Sequence, residues 1–443
     1  MLHLSAKRVL LLVFGAIFSV FLLLMYLHRN EKPHDEAKTV YIKEDGKGFK
    51  VYRNGAYFKI KGATGREYLK DLAEIGGNTI RIYDFNNIES ILNEAHQNNL
   101  AVIVDIPLSK YTDGDNFYSD EVQISRYRDT IKKLVNTYKH HPALLFWNLG
   151  NELDYPLVFR KNDFINTFNN FIEVIQTEDP NHPVGTSIIP SRTQTLSIHL
   201  HSPQLDFIGF NAFGNLNTVK PLIEKLDYIT NVLPYYISEY ANNGPWEEET
   251  TLWSVPIEQT STKKAEQYMA YYKSSILKDS ASMGDLVFFW GQKQEHTHTW
   301  FSIFDDEGRK SQIFYNLKSM WGKQTDPNDW PPQIKYMLID HQGAKDTLVY
   351  QSQDVKTAQI IFDSEIDSTF QFKWEIYKEG WNYEPQKKEK RPDRIPMEVL
   401  LQKENSITFC IPEKEGPYRL FGYAYDQKGN FATTNTPFYV LNK

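Results

Sequence analysis

The chain has a single cysteine, Cys410, which excludes an internal disulfide and any multi-cysteine zinc or iron–sulfur site. Cys410 sits in the alternating run ENSITFCIPE, which reads as a strand burying a small hydrophobe rather than presenting a reactive thiol. Long basic blocks are missing too. With 49 Lys and Arg against 56 Asp and Glu, the formal net charge is −7, and no nucleic-acid partner is expected. No internal repeat or low-complexity tract occurs, and 41% hydrophobic residues in 443 allow a large core in two or three domains. Aromatics are abundant instead: 27 Tyr, 27 Phe and 9 Trp exceed what core filling usually requires, and flat rings suit the C–H faces of sugars.

One uncharged apolar run stands out at residues 9–27 (VLLLVFGAIFSVFLLLMYL). At ~1.5 Å per residue it can span a hydrocarbon core of ~30 Å. Lys7 and Arg8 precede it, and acidic residues dilute the basic ones behind it, so the positive-inside rule favours a cytoplasmic N-terminus. The run is long for a signal peptide and no A-x-A-like site follows, so an uncleaved anchor is preferred over a cleaved signal. These features predict a single-pass membrane protein whose remaining residues lie in the periplasm or outside the cell. The expected organisation is a cytoplasmic tip and anchor (1–30), a polar tether (31–48), a first folded domain (49–325) and a second (333–443).

Within 49–325, strand-like and helix-like stretches alternate. Strand candidates fall at 56–63, 78–85, 100–107, 143–150, 183–189, 205–213, 234–240 and 285–291, with helical patterns between most of them. In the longest helix, Ile124, Tyr127, Ile131, Leu134, Val135 and Tyr138 line one face, and Pro142 follows its end. The connection PSRTQTLSIHLHSPQ shows no clear helix. Eight apolar strands with crossover helices predict an α/β fold, a closed (β/α)₈ TIM barrel. Beyond SMWGKQTDPNDWPPQ the texture changes to hairpin signals and strand alternation, which predicts a C-terminal immunoglobulin-like β-sandwich.

In such a barrel the strand C-termini form the active face. The fourth strand runs LLFWNLGNELD, finishing on Asn151 and Glu152, and the seventh, YYISEY, carries Glu239. Two carboxylates converging over one pocket from rigid strand ends are what glycosidic cleavage needs: a proton donor and a nucleophile or base.

Asn151-Glu152 and Ser238-Glu239-Tyr240, with Arg81 in NTIRIYDF and Trp290 in FFWG, resemble clan A of the retaining glycoside hydrolases. The likeness is to the family 2 and family 5 catalytic domains, and more faintly to families 17 and 72. The resemblance implies Glu152 as acid/base, Glu239 as nucleophile, Asn151 on the sugar 2-hydroxyl, Arg81 keeping Glu239 ionised, and Trp290 flooring the sugar site. Tyr83, Asn211 and Trp300 complete the expected substrate-binding set. The sequence departs from the clan at the end of the sixth strand, where Phe213 stands in place of a tyrosine that bonds the nucleophile; Tyr240, Asn211 or another group is expected to substitute.

The implied activity is a membrane-anchored retaining β-glycosidase acting on an oligo- or polysaccharide, with β-glucan as first substrate and no cofactor or metal. Transglycosylation by the same two glutamates and non-catalytic glycan binding in the cell envelope are the alternatives. A metal-dependent amidohydrolase is a further rival, from His199-x-His201 and His296-x-His298 with strand-end aspartates, although no His-x-His follows the first strand.

Overall fold

The computed structural model describes residues 13–19, 37–46, 48–111, 116–158, 160–227, 234–363, 365–379 and 390–442. Its centre is a closed barrel of eight parallel strands. In order these are Ile60–Gly65, Thr79–Ile82, Ala101–Ile106, Leu144–Asn151, Val184–Ile188, Phe207–Asn211, Tyr235–Tyr240 and Gly284–Trp290. They are called first to eighth below. Each pairs with its sequence neighbours, and the eighth closes on the first through Gly284 opposite Ile60 and Val287 opposite Ala63. All eight predicted strands are therefore present.

Helices follow every strand: Leu69–Glu74, Ile88–Gln97, Glu121–Tyr138, Asp163–Glu178, Arg192–His201, Val219–Asp227, Ser261–Ser274 and Gln312–Met320. Local chemistry starts them. The Asp120 carboxylate accepts from the amides of Val122 and Gln123, and Asn162 accepts from the amide of Ile165. Ile131, Leu134 and Val135 of the long helix are buried, with Ile124, Tyr127 and Tyr138 partly so, as their spacing predicted.

Two parts differ from the sequence reading. The connection after the fifth strand is helical at Arg192–His201, capped by Ser191. It buries Thr195 and Ser197 beside Ile198, and Ser197 Oγ donates to the Pro156 carbonyl, so its inner face carries no apolar period to detect. The expected tether at 31–48 is structured from Val40. Val40–Glu44, Phe49–Arg53 and Ala56–Tyr57 form a three-stranded antiparallel sheet, and the first barrel strand begins only at Ile60. Val40 and Val51 join Ile60, Ile103, Phe146 and Phe207 in one buried cluster, so this sheet stoppers the barrel beneath its inner core.

Among the described residues no helix is long and apolar enough to cross a membrane. Of the expected anchor, 13–19 is described, as helix exposing Val13, Phe14, Ile17 and Phe18; the rest lies outside the described residues.

From Ile334 the chain forms two facing sheets, one of four strands and one of five, around Ile360, Trp374, Phe409, Leu420 and Phe438. The hairpin Gly416–Tyr425 with Phe431–Leu441 is its longest pairing. Cys410, half-buried, ends the strand Ser406–Cys410 and is free.

Candidate active site

Strand ends converge on one guanidinium. Arg81, on the second strand, is fully buried. Its Nε and Nη2 donate to the Asp105 carboxylate on the third strand at 2.9 and 2.7 Å. Nη2 also donates to Asn151 Oδ1 on the fourth at 2.8 Å, and Nη1 to Glu239 Oε1 on the seventh at 3.1 Å. A buried cation is tolerated only when its donors are satisfied, and the planar fork of arginine can serve several acceptors at once. Asp105 thus anchors the site, a role the sequence did not single out; an acid ending a core strand beside an arginine-bearing strand was the available signal.

The two glutamates occupy different environments. Glu239 is 4% exposed, while the Glu152 side chain is a quarter exposed. Burial pushes Glu239 up to about 7, against the pull of Arg81; the Glu152 charge adds to the rise, and Tyr83 and Lys293 oppose it. Arg81 pulls this carboxyl toward ionisation, the direction expected of it, but burial outweighs that pull. Asp105 claims the guanidinium at two positions, leaving Glu239 one hydrogen bond.

Glu152 follows directly after the fourth strand. Its amide donates to the Ser187 carbonyl at 2.8 Å, but its φ of 53° is left-handed, a conformation uncommon outside glycine, and Gly150 before it has φ 73°. This kink turns the chain as the strand reaches the mouth. A side chain at Gly150 would meet Leu153 at 2.3 Å.

Asn211, ending the sixth strand, links the halves. Its Oδ1 accepts from Ser238 Oγ at 2.7 Å, which fixes the amide orientation. Its Nδ2 donates to Glu152 Oε1 at 2.8 Å and to Asn151 Oδ1 at 3.0 Å. Asn151 Oδ1 accepts from both Arg81 and Asn211, which directs its own amide nitrogen away from them.

Aromatic rings wall the site. Tyr83 lies on the Arg81 guanidinium at 4.9 Å and edge-on to Phe288 at 6.5 Å. Phe288 meets Phe213 at 5.6 Å and Phe301 at 5.1 Å, and Lys293 Nζ stands 4.6 Å from its ring centre. Trp246, 47% exposed, packs edge-on to Phe213. Phe288, Lys293, Trp246 and Lys110, whose Nζ is 4.0 Å from Glu152, were not singled out from sequence.

Two expected residues lie elsewhere. Trp290 is fully buried, donates its indole N–H to the Tyr68 carbonyl and packs on Phe304 and Phe314. Trp300 is also buried and donates to the Asn243 carbonyl, holding the loop after the seventh strand.

The histidine pairs are separated as well. His201 meets the Val158 carbonyl on its helix's side, while His298 meets the Tyr423 hydroxyl of the sandwich at 2.7 Å. Among the described residues no group of three or more His, Cys, Asp or Glu could hold a metal ion. A cavity of about 210 Å³ lies at the opposite, N-terminal end of the strands, lined by Lys59, Val219, Ile237, Gly284 and Asp285, and includes neither glutamate.

No protein-family model matches the chain, and no curated protein matches it. Solved structures do resemble it. The β-glucuronidase of Bacteroides uniformis has a TM-score of 0.51 at 13% identity, over 91% of this chain and 48% of that one. A GH2 β-galacturonidase from Eisenbergiella tayi bound to galacturonate gives 0.51 at 14%, over 65% and 55%. A β-D-glucuronidase of Dictyoglomus thermophilum gives 0.50 at 19%, over 65% and 54%. The chain spans about half the length of these structures, and at such identities what it shares with them is the fold.

Proposed function

We propose that the chain is a retaining β-glycosidase, anchored in a membrane by residues 9–27, with its barrel facing the periplasm or the cell exterior. The observation that carries this reading is the hydrogen-bonded bracket of Arg81, Asn151 and Asn211, which ties Glu152 and Glu239 to one polar centre.

The chemistry follows from their environments. Glu152, the more open carboxyl, gives its proton to the glycosidic oxygen as the bond to C1 breaks. Glu239 closes on C1 as its carboxylate, forming a glycosyl ester while the alcohol leaves. Water then attacks C1, Glu152 takes its proton, and Glu239 departs. Asn151 offers its amide N–H to the 2-hydroxyl. Glu239 must be ionised and Glu152 protonated in the reacting complex, so activity should pass through a maximum with pH.

A β-glucan is the first substrate proposed. A β-linked acidic sugar is the second, favoured by the ammonium groups of Lys110 and Lys293 beside the two glutamates and by the uronide-cleaving names of the structural neighbours. A sugar hydroxyl replacing water in the second step would make the same site a transglycosylase.

The test incubates residues 39–443, and the Glu239→Gln form, with β-glucan oligosaccharides and aryl β-glucosides, β-galactosides and β-glucuronides, following products and anomeric configuration. Retained configuration with activity lost in E239Q supports the mechanism, and transfer products reveal the transglycosylase. An inverted anomer overturns retention. No turnover, with tight glycan binding kept in Glu152→Ala, points to a glycan-binding protein instead.

A further inference from the structure

We infer that Tyr83 donates a hydrogen bond from its hydroxyl to the Glu239 carboxylate in the working site, and so acts as the positioning residue for the nucleophile. This rests on Glu239 being that nucleophile.

Tyr83 lies two residues after Arg81, just past the second strand, so the alternation of a strand sends both side chains to one side. The guanidinium under the Tyr83 ring confirms that placement. Its hydroxyl is buried yet has no aligned hydrogen bond, an expensive state for a group with both a donor and an acceptor. The complementary deficit is next to it. Arg81 occupies Glu239 Oε1, and among the described residues no aligned hydrogen bond reaches Oε2. The Tyr83 hydroxyl is near enough to Glu239 to act on its protonation, with the Thr64 hydroxyl its other neighbour.

The other candidates for this role are engaged elsewhere. Phe213, ending the sixth-strand segment, has no hydroxyl and packs among Phe288, Trp246 and Phe301. Tyr240 faces Asp285 and the Tyr268 ring. Asn211 gives its amide to Glu152 and Asn151. Burial keeps the Tyr83 phenol protonated far above neutrality, so toward a carboxylate it can only donate. With Arg81 on Oε1 and the Tyr83 donor on one lone pair of Oε2, the second lone pair of Oε2 is left to approach C1, and the donors receive the charge again when the ester is cleaved.

The charged and titratable groups facing Glu239 are Arg81 and Tyr83 from the second strand, Glu152 from the fourth, Tyr236 from its own strand and Lys293 after the eighth, with Asp105 acting through Arg81 and Tyr236. A bond to the ionised form lowers the pKa of Glu239. Tyr83→Phe should therefore raise it from about 7.

The experiment compares the full chain in detergent as wild type, Y83F and E239Q. Infrared titration of the carboxyl stretch, with the Glu239 band assigned by its loss in E239Q, reads the Glu239 midpoint without substrate. Y83F should shift that midpoint upward. Where turnover is measurable, kcat should fall about 10- to 100-fold, the loss expected for a hydrogen bond to a charged group, with KM little changed. An unmoved midpoint overturns the inference whatever the activity, and a raised KM with unchanged kcat returns Tyr83 to plain substrate binding. A shifted midpoint in a protein that cleaves no glycoside keeps the Tyr83–Glu239 bond and removes the glycosidase reading.

Discussion

Replacing the proposed nucleophile should stabilise the fold, and only above a definite pH. In an unfolded chain a glutamate titrates near ~4.3. In the folded barrel, burial against the partial relief of Arg81 pushes Glu239 up to about 7. Below pH ~4 both states hold the proton and this group contributes no difference. As pH rises, the unfolded chain ionises first, so stability is lost between roughly pH 4 and 7 and the deficit is complete above that. A gap of ~2.7 units at ~1.36 kcal/mol each amounts to about 3–4 kcal/mol. Glu239→Gln keeps an oxygen to accept from Arg81 Nη1 and removes the titration. It should therefore raise the melting temperature at pH 8 by about 3–8 °C, given a shift of ~1–2 °C per kcal/mol in a chain of this size. At pH 4.5 it should change little. Scanning calorimetry of wild type and E239Q at both pH values checks this. Equal melting at pH 8, or a larger gain at pH 4.5, would falsify the claim that burial governs this carboxyl.

Three further outcomes follow from neighbouring contacts. Arg81→Met leaves Asp105 and Glu239 buried without a counter-charge, so urea unfolding should show a loss of about 3–5 kcal/mol at pH 8, shrinking at pH 5 as the carboxyls take up protons. Asn211→Ala removes the donor to Glu152, and kcat should drop about 10- to 100-fold for glycosides with poor leaving groups and less for activated aryl glycosides; a uniform loss across a leaving-group series contradicts this. Glu258, raised by burial but held down to about 2 by Lys264 and Arg419, contributes stability present above pH ~4.3 and lost as pH falls toward 2. Glu258→Gln should flatten that acid limb and cost about 3 kcal/mol at pH 7, read from denaturant midpoints.

The barrel was legible because its strands are buried on both faces and read as apolar runs, and because polar groups at their ends have no packing reason to be there. Glu152, Glu239, Arg81, Asn151 and Asn211 share that signature, and the structure brings them together. Trp290 failed for a geometric reason. The pairing of the eighth strand with the first slips between Val287 and Trp290, and such a slip changes which side chains face inward. Sequence alternation cannot register it, so Phe288 stands in the aromatic wall while Trp290 packs on Phe304 and Phe314. The opening sheet was hidden by its charged alternation: Val40 and Val51 are buried, while lysines and acids between them read as tether. Lys110 and Lys293 were invisible because loop residues carry no period.

Two buried glutamates show how this fold separates support from chemistry. Glu258 lies where the barrel meets the sandwich. Its carboxylate takes Lys264 Nζ, the hydroxyls of Thr297 and Thr299, and Asn435 Nδ2 from the sandwich, with the Arg419 charge close by. Every lone pair direction is met, and ionisation is favoured. Glu239 is as deeply buried, but it shares one guanidinium with Asp105 and feels the like charge of Glu152. The same side chain is thus driven in opposite directions, to about 2 and to about 7, by the number of donors its neighbours supply. The satisfied carboxylate clamps the sandwich to the loop after the eighth strand, whose Lys293 reaches the site. The under-satisfied one retains the capacity to form a bond, because a carboxylate with all its lone pairs engaged would be a weak nucleophile.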